Sequence, residues 1–124
     1  MLEEDLYAHL SSDNTLLLNA HIYPQIADDN ASLPFLVFTI VNEQDETSRS
    51  LNRVVIGRDY RVQIDCYHSS ALEAKKLKNR VKKSLYNFKY FPRNLSARDA
   101  YVEDVKFFGQ IIDFKIKITG ESCE

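Results

Sequence analysis

RVQIDCYHSSALEAKK, residues 61–76, joins two patterns of different period, and its reading decides the fold. Tyr60, Val62, Ile64 and Cys66 alternate with Arg61, Gln63, Asp65 and Tyr67, the period of a strand with one buried face. The alternation predicts a strand over 58–67 whose Cys66 thiol points into the core. Ser70-Ala71-Leu72-Glu73 then has the form of a capping box, with Ser70 as the N-cap and Glu73 at the third helical position. Ala74, Leu77, Val81, Leu85 and Phe88 follow at spacings of three and four. Nearly all the lysines fall on the other side, so the spacing predicts a helix over 71–88 with one oily and one cationic face.

The same stretch sets Cys66 and His68 two apart beside Asp65, an arrangement that raises metal binding and nucleophilic catalysis. A zinc site needs three or four ligands; C-x-H supplies two, and His9, His21 and Cys123 have no spacing that completes a set. A nucleophilic cysteine needs an exposed thiolate of depressed pKa, whereas the alternation buries this one. The pair reads as a core thiol and a strand-end imidazole, with a small thiol or metal enzyme at Cys66/His68 as the alternative. The chain has three glycines and neither a G-x-G-x-x-G nor a P-loop, so nucleotide binding has no backbone cradle. Adjacent Glu103 and Asp104 would face opposite sides of a strand, as solvated charges do. No cofactor and no catalytic residue is expected.

Outward from this stretch, Leu2, Leu6 and Leu10 stand four apart with Glu3, Glu4 and Asp5 in the first turn, which predicts a short amphipathic helix over 2–11. A second turn around 15–19 and a polar loop over 27–32 follow, and Pro34 closes the loop. PFLVFTIV, rich in β-branched and aromatic residues and apolar on both faces, predicts a central strand near 35–42. Asn42–Asn52 is charged and without apolar period. Pro92 and Asn94 read as a connector, and 101–108 with 111–119 as a hairpin turning at Gly109-Gln110. The expected fold is α+β: a single domain over 1–124, an antiparallel sheet with two helices packed on it, in the order α-β-β-α-β-β.

Composition agrees with one globular unit. A chain of 124 residues hides roughly two-thirds of its unfolded surface, and 44% hydrophobic with 27% charged residues is ordinary for a globular chain. The apolar runs fall far short of the ~18 residues of a spanning helix, and LEEDLYAHL lacks the basic-then-apolar order of a secretory signal. The expected location is the cytoplasm, with no membrane partner and with both cysteines as thiols.

The net charge of −2 is unevenly spread. Between Ala71 and Arg98 nine Lys or Arg face Glu73 alone, a balance of +8, which leaves −10 for the rest. A lysine-rich outer face keeps a domain soluble; it also suits phosphate backbone, as in a DNA-contacting protein using helix 71–88, or an acidic protein surface. No base-reading motif accompanies the lysines.

Three phrases carry a family resemblance: Ile22-Tyr23-Pro24; Leu33-Pro34-Phe35-Leu36-Val37-Phe38 after a polar loop; and Arg61-Val62-Gln63-Ile64-Asp65-Cys66-Tyr67 running into Glu73-Ala74-Lys75-Lys76-Leu77. Over nearly its whole length the chain resembles the tail completion proteins of tailed bacteriophages, also described as tail terminator or head-tail joining proteins. The resemblance implies a phage or prophage structural protein and not an enzyme. It would act as a ring, as a hexamer, at the head-proximal end of the tail tube, with the tail tube protein, the head connector proteins and its own copies as partners. It would assemble in the host cytoplasm and end in the tail or neck of the virion. The resemblance also implies that the long polar segment over 43–57 is a protruding loop or arm. A head-to-tail ring needs one patch of each copy to meet a different patch of the next, and opposite charges set that register. Lys75, Lys76, Lys78, Lys82 and Lys83 are the expected cationic patch, and Glu43, Asp45, Glu46 and Glu103 its acidic counterpart.

Overall fold

The computed structural model describes residues 2–13, 20–25, 33–48, 54–103 and 106–119. They form α1 (Leu2–Ser12), β1 (His21–Pro24), β2 (Phe35–Ser48), β3 (Val54–His68), α2 (Ala71–Leu85), β4 (Arg93–Val102) and β5 (Phe107–Thr119). One five-stranded sheet, ordered β1-β2-β3-β5-β4, carries both helices.

The period-two stretch does what its pattern dictates. Tyr60, Val62, Ile64 and Cys66 are buried, with the last three fully so, and they meet Ile112, Phe114, Ile116 and Ile118 of β5 on the same face. Leu36 and Phe38 of β2 complete the sheet's side of the core. α2 lays Ala74, Leu77, Val81 and Leu85 on that face, all at zero exposure. Its start is fixed by Ser70, whose hydroxyl oxygen accepts the Glu73 N–H at 3.2 Å from an extended backbone. Its end tightens through Tyr86 N–H to the Lys82 carbonyl, Asn87 N–H to Ser84 and Phe88 N–H to Leu85. The helix therefore stops at Leu85 rather than 88, although Phe88 is still buried. α1 buries Leu2, Leu6 and Leu10, with its three acids at the positive end of the helix dipole.

The two helices are tied together by a polar cluster. His9 Nε2 lies 2.7 Å from the Ser84 carbonyl oxygen, so that nitrogen carries the proton and donates. The Ser84 hydroxyl donates to Asp13 at 2.5 Å, and the His9 ring lies 5.0 Å from that of Phe88.

Five further expectations are corrected. The order is α-β-β-β-α-β-β, because His21–Pro24 is a strand, and the sheet is mixed, because that strand pairs in parallel with β2. Four residues ending in a proline carry too little pattern to announce a strand; β1 forms because β2 offers it an edge, and Pro24 is tolerated at that edge position. The stretch 43–57 is not simply a loop, since β2 runs to Ser48 and β3 begins at Val54, pairing from Asn42–Arg61 outward to Ser48–Val54. A bulge between Ile40 and Asn42 flips the facing of β2, so the apolar run ends there and polar residues continue the same strand.

The last hairpin turns earlier than Gly109-Gln110. β4 ends at Val102, β5 begins at Phe107, and Lys106 takes the positive φ of 55°. Gly109 sits inside β5 opposite Tyr67, and Gln110 is buried, donating to Asp99 of β4 at 2.5 Å. Asn94 belongs to β4 rather than to a connector, at a register irregularity where its φ is 58°. The expected turn over 15–19, the loop over 27–32, Asp104 and Cys123 lie outside the described residues.

Candidate subunit interface

The lysines of α2 point away from the sheet because the core holds the opposite face of the helix. Lys75, Lys76 and Lys83 are exposed, and Lys78 and Lys82 are half-buried along their stems. Lys76 reaches Glu73 one turn back at 3.5 Å, an exposed pair worth little. Among the described residues, no carboxylate pairs with Lys75, Lys78, Lys82 or Lys83. Lys76, Asn79, Arg80 and Lys83 rim a shallow depression of about 340 Å³. Lys75 lines a second cleft, of about 370 Å³, between the start of α2 and the Tyr101 and Phe108 rings at the ends of β4 and β5.

Of the acids expected to meet these lysines, Glu43, Asp45 and Glu46 lie on β2. Asp45 accepts from Arg58 Nε at 3.0 Å, and Glu46 pairs with Lys117 at 3.1 Å. Glu43 is exposed beside Tyr60; burial first, and then the hydrogen bond to this carboxylate, push the Tyr60 phenol above its ordinary value. Glu103 is exposed at the end of β4, its carbonyl accepting from the Lys106 N–H. Within one chain the structure does not join these acids to the α2 lysines. Asp45 and Glu46 are answered by Arg58 of β3 and Lys117 of β5, while Lys75, Lys78, Lys82 and Lys83 meet no carboxylate among the described residues.

The Cys66/His68 pair has the geometry of a strand end. Cys66 is fully buried and burial pushes its thiol far up, the carboxylate of Asp65 adding to the shift. His68 Nδ1 accepts the Ser69 N–H at 2.8 Å, a local contact that engages the ring with its own backbone. Among the described residues, no group of three or more His, Cys, Asp or Glu is placed to hold a metal, and no helix is long and apolar enough to cross a membrane.

Two surfaces lay beyond the sequence pattern. Glu3, Glu4, Tyr7, Ile22, Tyr23 and Phe38 line an acid-rimmed apolar groove of about 510 Å³ beside the edge strand β1. Tyr86 and Phe91, both more than half exposed, lie with ring centroids 6.3 Å apart in the α2–β4 connector. Exposed aromatics outside any periodic element were the one available signal of the second surface; the first depends on β1, which the sequence hid.

A family model described as tail completion protein gp17 matches residues 4–119. Among solved structures, a chain of the virion of a native gene transfer agent particle superimposes with a TM-score of 0.73 at 16% identity, over 96% of this chain and 95% of that one. At that identity the likeness shows the fold. No curated protein matches the chain.

Proposed function

The chain belongs to the tail completion protein gp17 family and is thus a structural protein of the phage tail, and on that premise we propose that it closes the tail as a ring at the head-proximal end of the tube and presents a surface to the head connector. The observation that carries the ring is the cationic face of α2, whose Lys75, Lys78, Lys82 and Lys83 pair with no carboxylate among the described residues, on a chain whose remainder is acidic. A head-to-tail ring brings one patch of each copy against a different patch of the next, so a cationic patch of one copy meets an acidic patch of its neighbour. Lys75, Lys78, Lys82 and Lys83 supply the cations, with Lys76 released from its exposed pair. Glu43 and Glu103 are the acids most available to meet them; Asp45 and Glu46 first have to share Arg58 and Lys117. The β2–β3 ribbon serves as the arm that reaches the adjacent copy, its paired backbone giving it the stiffness a free loop lacks.

The test is the triple reversal Lys75→Glu/Lys76→Glu/Lys83→Glu. The variant should keep the circular dichroism and melting temperature of the parent, because these side chains are exposed, yet fail to form rings by electron microscopy and fail to complete tails. Rings and tails indistinguishable from the parent's reject the proposal. If the same variant instead loses salt-sensitive binding to duplex DNA while rings persist, the α2 face serves phosphate backbone.

A further inference from the structure

Register places a row of like charges on the sheet face opposite the helices. Arg61 of β3 stands directly opposite Lys115 of β5, and Lys115 directly opposite Arg93 of β4. Asn42 of β2 continues the row beside Arg61. Like charges at directly opposed positions repel across the ladder, so this arrangement costs stability in the isolated chain. Among the described residues the acid that shares the cleft with this row is Asp59; its Oδ1 accepts no hydrogen bond although occluded from solvent, and Arg93 Nη2 lies 3.9 Å from it. Around the row, Asn42, Gln44, Asp59, Arg61, Arg93, Asn94 and Lys115 enclose a polar cleft of about 460 Å³.

We propose that this cleft is a carboxylate-binding site that receives an acidic segment of a partner protein. Three cations against Asp59 leave two positive charges, a balance that two carboxylates neutralise. The two guanidinium groups offer paired N–H donors in the planar geometry that a carboxylate accepts, and the side-chain amides of Asn42, Gln44 and Asn94 add neutral donors. Nucleic acid is the poorer occupant. A phosphate backbone needs an extended cationic track, and the other cationic surface, on α2, lies on the far side of the sheet, so one duplex cannot follow both. The proposal is independent of ring formation through α2.

The probe is a fluorescein-labelled hexaglutamate peptide, titrated by anisotropy at low salt. The full-length chain carries Lys75→Glu/Lys76→Glu/Lys83→Glu, so that α2 does not compete. This variant should still bind, and adding Arg61→Gln/Lys115→Gln should weaken binding by about tenfold or more, as loss of charge-assisted hydrogen bonds does. The double glutamine variant of the parent should melt no lower than the parent, since a repulsion has been removed. Any of three binding results overturns the site: binding abolished by the α2 reversals alone, binding unaffected by the glutamine pair, or duplex DNA binding more tightly than the peptide with the same dependence on Arg61 and Lys115. A lowered melting temperature of the double variant also counts against it, because the row would then be held by pairing within the chain.

Discussion

Replacing Gly109 with alanine sets two opposed effects against each other, and their sum depends on where the last hairpin turns. Gly109 lies in β5 without the positive φ that only glycine tolerates, so its backbone accepts a side chain. On that ground alone alanine stabilises, by about 0.5–1 kcal/mol, through the lower entropy of the unfolded chain. The space is occupied, however: an added Cβ would meet Tyr67 Cε1 at 2.9 Å and Cδ1 at 3.0 Å. The Tyr67 ring cannot simply swing away. It lies 5.1 Å from Phe35, which packs edge-on against Tyr23 and Phe107 and is 5% exposed. Overpacking of this kind costs about 1–3 kcal/mol. The net for Gly109→Ala is a destabilisation of up to about 2.5 kcal/mol, the overpacking cost less the entropic gain. With Tyr67→Ala already in place the clash is gone, and the same substitution should stabilise. Urea unfolding followed by far-ultraviolet circular dichroism on the four proteins of this cycle gives the coupling, expected at about 1–3 kcal/mol. An equal penalty in both backgrounds would refute the reasoning and restore a glycine-dependent turn at 109–110.

Other perturbations follow from the same geometry. Phe38→Ala, in a side chain 1% exposed between the helices and the sheet, should cost about 3–5 kcal/mol in urea unfolding; a loss under 1 kcal/mol would mean the core is not packed as described. Ser70→Ala removes the cap of α2 and should cost about 1 kcal/mol, with the aspartate replacement recovering most of it. Burial raises the Asp65 carboxyl above its ordinary 3.8, against the opposing effects of Gln63 and Arg98. A raised carboxyl favours folding while protonated, and that contribution is lost as pH rises through the folded value. Asp65→Asn should therefore melt higher than the parent at neutral pH, with the gap closing below about pH 3.8; a gap that widens on acidification has the wrong sign. In a Cys123→Ser background the native protein should resist thiol reagents until it unfolds, since Cys66 is fully buried and its thiol is held protonated. Rapid labelling of the folded chain would reopen the chemical reading of Cys66 and His68.

The helix and strand on either side of Ser70 were legible because each carries a full period of its own: Val62, Ile64 and Cys66 at two, Ala74, Leu77, Val81 and Leu85 at three and four. The Leu2-Leu6-Leu10 stripe was legible for the same reason. The hairpin was misplaced because a glycine inside a strand and a glycine in a turn look alike in one dimension, and what singles out Gly109 is a tyrosine ring forty-two positions earlier in the sequence. The paired ends of the 43–57 stretch read as loop because Glu43, Gln44, Asp45 and Glu46 carry no apolar alternation; their pairing continues the β2–β3 ladder that the core residues begin. The candidate interface divided in the same way. The cationic face of α2 follows from helical phase, whereas the pairing of Asp45 with Arg58 and of Glu46 with Lys117 depends on a register that no local pattern states.

By itself, then, the order of residues determined which atoms must leave water and on which side of each element they lie, because amphipathic period is a local property of the chain. Only the tertiary structure decided which strand neighbours which, that β1 runs parallel to β2, and that Arg61, Lys115 and Arg93 stand in one row. Those relations are set by contacts between residues distant in sequence, where the gain from burying shared surface outweighs weak local preferences, and a row of opposed cations can be recognised only once the strands that carry them are side by side.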